Sequence, residues 1–513
     1  MSKEILKVAK DFVRENKSYP SMTDLLSLGL KRTTIRDHFG NLEGLHDALY
    51  KECRDILFDL NREEIPALNT SKFKRYIITT AVTGDMVFSK ALRSIRTYEK
   101  ENKAKLIIHV SKGSKTLGQS LDPILRGSYI CMNDLWLNNN TKLVSVFQNG
   151  SKTDPTSGGI PRTGKRDSSV ILASPKQRLV YNATGIDKLA HATMSTGAIT
   201  YPKYDTSKTS GYVADYDHVM GAIIVEVEND EIFHFRQIQF DSNGGFADLG
   251  RYYVGGKVKK MSPSAMVLGD WHAGKTDEAV EKASFKLTKA LGIKEWVLHD
   301  IYDADSTSHH DEGKLLLLSK KADQGRLDLH QELTILTNDV LSMCSALERV
   351  TVVKSNHEEH LERYLDEGRF MKHPHNVRFS IELASAMLSG QNPIQYAVNL
   401  FSGNHKSLSK VRWLTRDESY QIAGIECGAH GDKGGNGSRG SIISMEKSYG
   451  PCVFGHAHTP QILRQAYCVG TSTATSADYG TGPSSWMNTH CLIYPNGQRQ
   501  LINCIGGKFS LDI

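Results

Sequence analysis

The sequence has no CxxC pair among its eight cysteines, Cys53, Cys131, Cys344, Cys427, Cys452, Cys468, Cys491 and Cys504. Such scattered thiols exclude a zinc ribbon and a disulfide framework, and they predict reduced cysteines in a cytoplasmic protein. No apolar run approaches the ~20 residues that a bilayer span needs. The opening Met1-Ser2-Lys3-Glu4-Ile5-Leu6 has no long apolar core, so neither a membrane partner nor a secretory leader is expected. A net charge of +6 over 513 residues permits an anionic partner without demanding one. Apolar content of 39% and charged content of 23% are ordinary for a globular chain. The length is too great for one core and predicts two or three domains, placed here at 1–65, 70–262 and 263–513.

In the first segment, residues 4–16 put Ile5, Leu6, Val8, Ala9, Phe12 and Val13 on one helical face. Ser21-Met22-Thr23-Asp24 is a capping-box pattern with Asp in place of Glu. Gly29 and Gly40 delimit a basic helix over residues 31–39, and a further helix is expected from Asn41 to about Leu60. Helix, glycine turn and short basic helix is helix-turn-helix geometry. The run from Leu28 through Lys31-Arg32-Thr33-Thr34-Ile35-Arg36 to Leu45 resembles the DNA-binding end of TetR-type repressors. That resemblance implies DNA contacts from Lys31, Arg32, Thr33, Thr34 and Arg36. A small docking bundle is the competing reading.

The middle segment begins as strand (residues 74–82), basic amphipathic helix (89–103) and strand (105–110), the start of an α/β layer. Strands are also expected at 143–147, 170–173, 222–227 and 232–240, the last two forming a hairpin. Residues 150–169 read as a basic loop whose Lys152, Arg162, Lys165 and Arg166 could touch a phosphate backbone. Within it, Gly159 to Arg166 approximates a P-loop but puts Arg166 where the magnesium-binding hydroxyl belongs, so that reading fails.

The last half carries five clusters in order. They are Gly269-Asp270-Trp271-His272, His299-Asp300-Ile301-Tyr302-Asp303, Ser355-Asn356-His357-Glu358, Gly428-Ala429-His430-Gly431-Asp432 and Gly455-His456-Ala457-His458. Short apolar runs precede four of them, so ligands are delivered at the carboxyl ends of strands, where α/β proteins assemble their sites. Asp270 and His272, two apart, project to the same side of an extended segment. Residues 277–291 and 325–347 read as covering helices. Carboxylate, amide and imidazole together suit divalent manganese, iron or zinc. A shared carboxylate can hold two ions ~3.5–4 Å apart for in-line attack on phosphorus.

This ordered set resembles the calcineurin-like metallophosphoesterase superfamily, whose fold is an α/β β-sandwich flanked by helices. The resemblance implies one ion on Asp270, His272, Asp300 and His458. It puts a second on Asp300, Asn356, His430 and His456, with Asp300 bridging. His357 would be the general acid, held by Asp303. Two positions depart from the family, His299 and Ser355, each replacing a glycine beside a ligand. Asp303-Ala304-Asp305 disfavours the protein-phosphatase branch. With a helix-turn-helix-like head and a basic middle segment, the chain resembles the nuclease branch typified by the Mre11/SbcD repair nucleases, and also the DNA-degrading early proteins of large tailed phages. The expectation is a Mn2+-dependent DNase that acts on DNA in a bacterial cell, as a homo-oligomer like many of the family. A phosphoesterase of nucleotides and an inert DNA-binding regulator are the alternatives. His299, His309, His310, His360, His373, His375 and His490 read as caps or core partners. Asp305, Asp311 and Glu312 read as a solvated loop rather than a lid or an extra cation site. The glycine-rich stretch 431–440 reads equally as a phosphate cradle and as a plain loop.

Overall fold

The computed structural model describes residues 1–112, 120–145, 154–157, 168–185, 188–475 and 482–513. Most of the basic loop, with Lys152, Arg162, Lys165, Arg166 and the P-loop-like run, lies outside the described residues. The protein is mixed α/β and divides into two compact units. One comprises Met1–Val180 and His191–Lys260, the other Tyr181–Ala190 and Met261–Ile513. The first two expected segments thus share a unit, although each has its own apolar core.

The head consists of helices Ser2–Asn16, Met22–Ser27, Arg32–Phe39 and Leu42–Glu52. Ile5, Ala9 and Val13 face Leu25, Ile35, Leu45 and Leu49, as the 3.6-residue period requires. Ser21 and Asp24 close the capping box from both sides, with the Asp24 amide 3.1 Å from Ser21 Oγ. Gly29 and Gly40 end their helices at φ 84° and 75°. The last helix stops at Glu52, short of the expected Leu60. There the core takes Leu57 in non-helical form, and Phe58–Asp59 pairs as a strand with Ser120–Leu121.

Beyond the head, Arg75–Val82, helix Ser89–Glu101 and Lys105–Ser111 form the expected strand-helix-strand, the strands parallel. They sit in a five-stranded sheet with Tyr129–Cys131 on one side and the hairpin Gly221–Val227/Phe233–Gln239 on the other. The strand expected at 143–147 is Thr141–Val144 where described. A three-stranded meander, Phe246–Asp248, Arg251–Val254 and Lys257–Lys260, follows the hairpin and was not expected.

The second unit is built on a six-stranded sheet. Its order is Val411–Trp413, Arg349–Val352, Glu295–Leu298, Ala265–Val267, Thr489–Ile493 and Arg499–Asn503. The first four strands are parallel and the last two antiparallel. Parallel strands need cover on both faces, and Ala265, Met266, Val267, Trp296, Val297 and Leu298 are completely buried. Helix Glu278–Leu291 matches the expected 277–291, whereas residues 325–347 give the shorter helix Leu329–Ala346. Five further strands of this unit run in the order Gln421–Ile422, Ile425–Glu426, Cys452–Phe454, Ala466–Cys468 and Gln461–Leu463. The strand expected at 421–427 is therefore a tight hairpin, turned by Ala423 (φ 52°) and Gly424 (φ 78°). Among the described residues, no helix is long and apolar enough to cross a membrane.

Candidate metal centre

Four strands of the second unit end at the expected clusters. Past the ends of Ala265–Val267 and Glu295–Leu298 the chain stays zipped. The Trp271 amide donates to the His299 carbonyl (2.9 Å), His272 to Asp300 (2.7 Å) and Ala273 to Ile301 (3.0 Å). This fixes Asp270 and His272 against Asp300. Trp271 points the other way into the core, where it is 1% exposed, packs on Trp296 and donates its indole N–H to Asp339 (2.9 Å). From the other set of strands, the Gly455 amide donates to the His430 carbonyl (2.9 Å), joining the fourth and fifth clusters.

Two groups of ligand atoms result, each within 4.8 Å. One is Asp270, His272, Asp300 and His458; the other is Asp300, His430 and His456. Asp300 belongs to both. Asn356 opens the helix Asn356–Asp366, and its Oδ1 is buried with no hydrogen-bond partner. Both Asp270 oxygens, Asp300 Oδ1 and His430 Nε2 likewise complete no well-aligned hydrogen bond. They crowd nonetheless: His458 Nε2 lies 3.0 Å from Asp270 Oδ2, His430 Nε2 3.2 Å from Asp300 Oδ2, and His272 Nε2 3.2 Å from His458 Nε2. Leaving a buried polar atom unsatisfied costs about 1–3 kcal/mol each. Carboxylate oxygens and imidazole nitrogens gathered this closely, with buried polar atoms left over, match the donor set of a divalent cation site. The donor set fits divalent metal ions on these grounds alone.

The backbone is bent to make this possible. His272 (φ 47°), Asp300 (φ 45°), His456 (φ 70°) and His458 (φ 54°) are all left-handed. Non-glycine residues pay of order 1–3 kcal/mol for that conformation, and it clusters at functional sites. At Gly455 a Cβ would collide with Asp270 Oδ1 and the His299 ring, so no side chain fits. The two family departures fall where glycine is not needed. Ser355 is extended (φ −120°, ψ 171°) and caps the helix, and His299 is not in the left-handed region.

The electrostatics follow from the crowding. Burial alone would raise the Asp300 carboxyl, yet His430 and His357 hold it well below the ordinary range. Burial likewise opposes the fall at Asp270, which His458 brings about. The His430 imidazole resists burial and rises to about 9 because Asp300 and Asp270 face it. Asp303 has a carboxylate oxygen grouped with ring nitrogens of both His272 and His357, all within 4.8 Å of one another. Its Oδ1 lies 3.0 Å from His272 Nδ1, and its backbone carbonyl accepts from His357 Nδ1 at 2.6 Å. A carboxylate behind a ligating imidazole fixes that ring's orientation and tautomer. His299, read as a bland core histidine, lies with Nδ1 3.4 Å from His430 Nδ1 and steadies that ring. Arg416 grips Asp432 with two nitrogens (2.9 and 3.0 Å) and reaches Glu359, so the loop carrying His430 is tied to the helix carrying Asn356. No sequence signal marked Arg416, and His299 stood out only as a departure beside a ligand. His490 is a core partner as expected, taking the Gly269 amide on Nδ1 (3.0 Å) and meeting Ser284 Oγ at Nε2 (2.9 Å). In the first unit, Lys31, Arg32, Thr33 and Arg36 are exposed and Thr34 is half-buried around the start of the helix Arg32–Phe39.

No family model matches the chain, and no solved structure matches it. Protein A1 of Escherichia phage T5 is 30% identical over 469 residues, which cover 85% of this chain and 83% of that protein. At that identity and coverage, the chain belongs to the family of phage T5 Protein A1.

Proposed function

We propose that this protein is a two-metal-dependent DNA phosphodiesterase with a calcineurin-like metallophosphoesterase fold in residues 263–513. The observation that carries the proposal is Asp300, common to two convergent groups of buried ligand atoms. Asp270, His272, Asp300 and His458 would hold one ion, and Asp300, Asn356, His430 and His456 the other. Mn2+ is the ion proposed, and Fe2+ or Zn2+ suits the same donors. When bound, such a pair supplies Lewis acidity to the phosphoryl oxygens and lowers the pKa of the attacking water.

The chain's own residues do the rest. Asp270 and Asp300 bring negative charge into a buried cleft and so select cations. Asp303 and His299 keep His272 and His430 turned toward it. Asn356, His357 and His456 are the half-buried members of the site and form its solvent side. Because a carbonyl only accepts, the Asp303 oxygen keeps a proton on His357 Nδ1. The second proton of the imidazolium then sits on Nε2, from which it passes to the departing sugar oxygen. DNA is favoured over small phosphoesters by the exposed basic helix of the head, with Lys31, Arg32 and Arg36. The relative's phage origin supports action inside a bacterial host.

The test is a substrate panel with Mn2+: linear and circular duplex DNA, nucleotides and a nitrophenyl phosphodiester. Preferential cleavage of duplex DNA, abolished by chelation, is expected. Turnover confined to nucleotides or the nitrophenyl ester would replace DNA as substrate. No turnover of any, with no metal bound, would leave a DNA-binding protein.

A further inference from the structure

We propose that His309, His310 and His360 form a separate site for a zinc-class transition-metal ion, which staples the loop after the second ligand cluster to the helix that carries His357. One ring nitrogen from each of the three lies within 4.8 Å of the others. His309 and His310 open the short turn His309–Asp311, and His360 stands one turn after His357 on the helix Asn356–Asp366. His309 Nδ1 is 3.1 Å from His360 Nδ1. The ring centroids are 3.8 Å apart for His309–His310, 4.8 Å for His309–His360 and 5.6 Å for His310–His360. Tetrahedral zinc with nitrogen at 2.0–2.1 Å separates its ligand atoms by about 3.3 Å. His309 Nδ1 and His360 Nδ1 already stand close to that spacing.

The acidic residues of the same loop are already engaged. Asp311 pairs with Lys321 (2.7 Å) and Glu312 with Arg369 (3.2 Å). Asp305 pairs with Arg326 (2.5 Å) and Lys275 (3.2 Å). These carboxylates are thus committed to ion pairs, and imidazole is the donor the loop has left. An all-nitrogen set selects Zn2+, Ni2+ or Cu2+ over Mn2+ and Mg2+, unlike the carboxylate-rich centre beside it. His310 is exposed, which leaves water a fourth position. An ion here would join the segment that follows Asp300 to the helix that begins at Asn356, coupling two walls of the main centre. The inference does not depend on which phosphoester is cleaved.

Metal-free full-length protein, titrated with Zn2+ and assayed by equilibrium dialysis and elemental analysis, tests it. His309→Ala, His310→Ala and His360→Ala should each bind one equivalent less than the parent, while His375→Ala binds the parent's number. Because His310 is exposed, its truncation spares the fold, which far-ultraviolet circular dichroism verifies. Asp300→Asn, which alters only the main centre, should keep the equivalent that His310→Ala loses. An unchanged zinc count in the folded His310→Ala protein would overturn the site.

Discussion

At the scale of single residues, histidines divide by what their nitrogens meet. His490 has both nitrogens engaged in the core, and burial lowers it to about 3. Its folded value lies below the unfolded value of ~6.5. The unfolded chain therefore binds the extra proton first as pH falls, and stability is lost below pH 6.5 until the folded group also titrates. Between pH 6.5 and 5 this one ring should cost about 2 kcal/mol. Urea unfolding at the two pH values should show that loss in the parent and a smaller one in His490→Gln; equal losses would remove His490 as the source. The seven proposed ligand residues were legible as candidates because donor chemistry is local: an Asp-x-His at a strand end announces itself. The support behind them was not, since His299 acts through a partner 131 residues away and Arg416 through one 16 residues away.

At the scale of elements, strand ends and helix starts carry the site. The apolar runs before Asp270, Asp300, Asn356 and His456 were readable because fully buried parallel strands are short and continuous in hydrophobicity. The left-handed turns that follow were not: His and Asp enter that region more readily than most non-glycine residues, yet too rarely for the residue type to foretell it at His272, Asp300, His456 and His458. The helix Asn356–Asp366 begins at Ser355, whose hydroxyl accepts from the Glu358 amide. Ser355→Ala should cost about 1 kcal/mol of stability by thermal or chemical melting. It should also weaken metal binding through Asn356; undiminished stability and binding would show that the cap is idle. The meander ending at Lys260 escaped sequence reading for a different reason. Arg236, Glu226 and Asp248 are charged residues within strands, and Arg236 is 1% exposed and bonds both carboxylates. Buried charge persists there because each partner neutralises another.

At the scale of the molecule, the proposed function predicts separable contributions from the head and from the unit with the candidate metal centre. Replacing Lys31, Arg32 and Arg36 together with alanine should weaken DNA binding and lower the salt dependence by about one unit of slope per lost phosphate contact. Hydrolysis of a nitrophenyl phosphodiester should be unaffected. Fluorescence anisotropy over a salt series reads the first and a colorimetric assay the second; unchanged DNA affinity would assign the head to docking. Kinship with phage T5 Protein A1 runs through most of both chains, so both units belong to what the family shares.

The most direct measurement is the rate of duplex DNA cleavage in Mn2+ by Asp300→Asn, the residue common to both ligand groups. The folded variant should fall at least about a thousandfold below the parent, a loss of roughly 4 kcal/mol in transition-state stabilisation. Cleavage at the parent's rate would contradict the two-cation account.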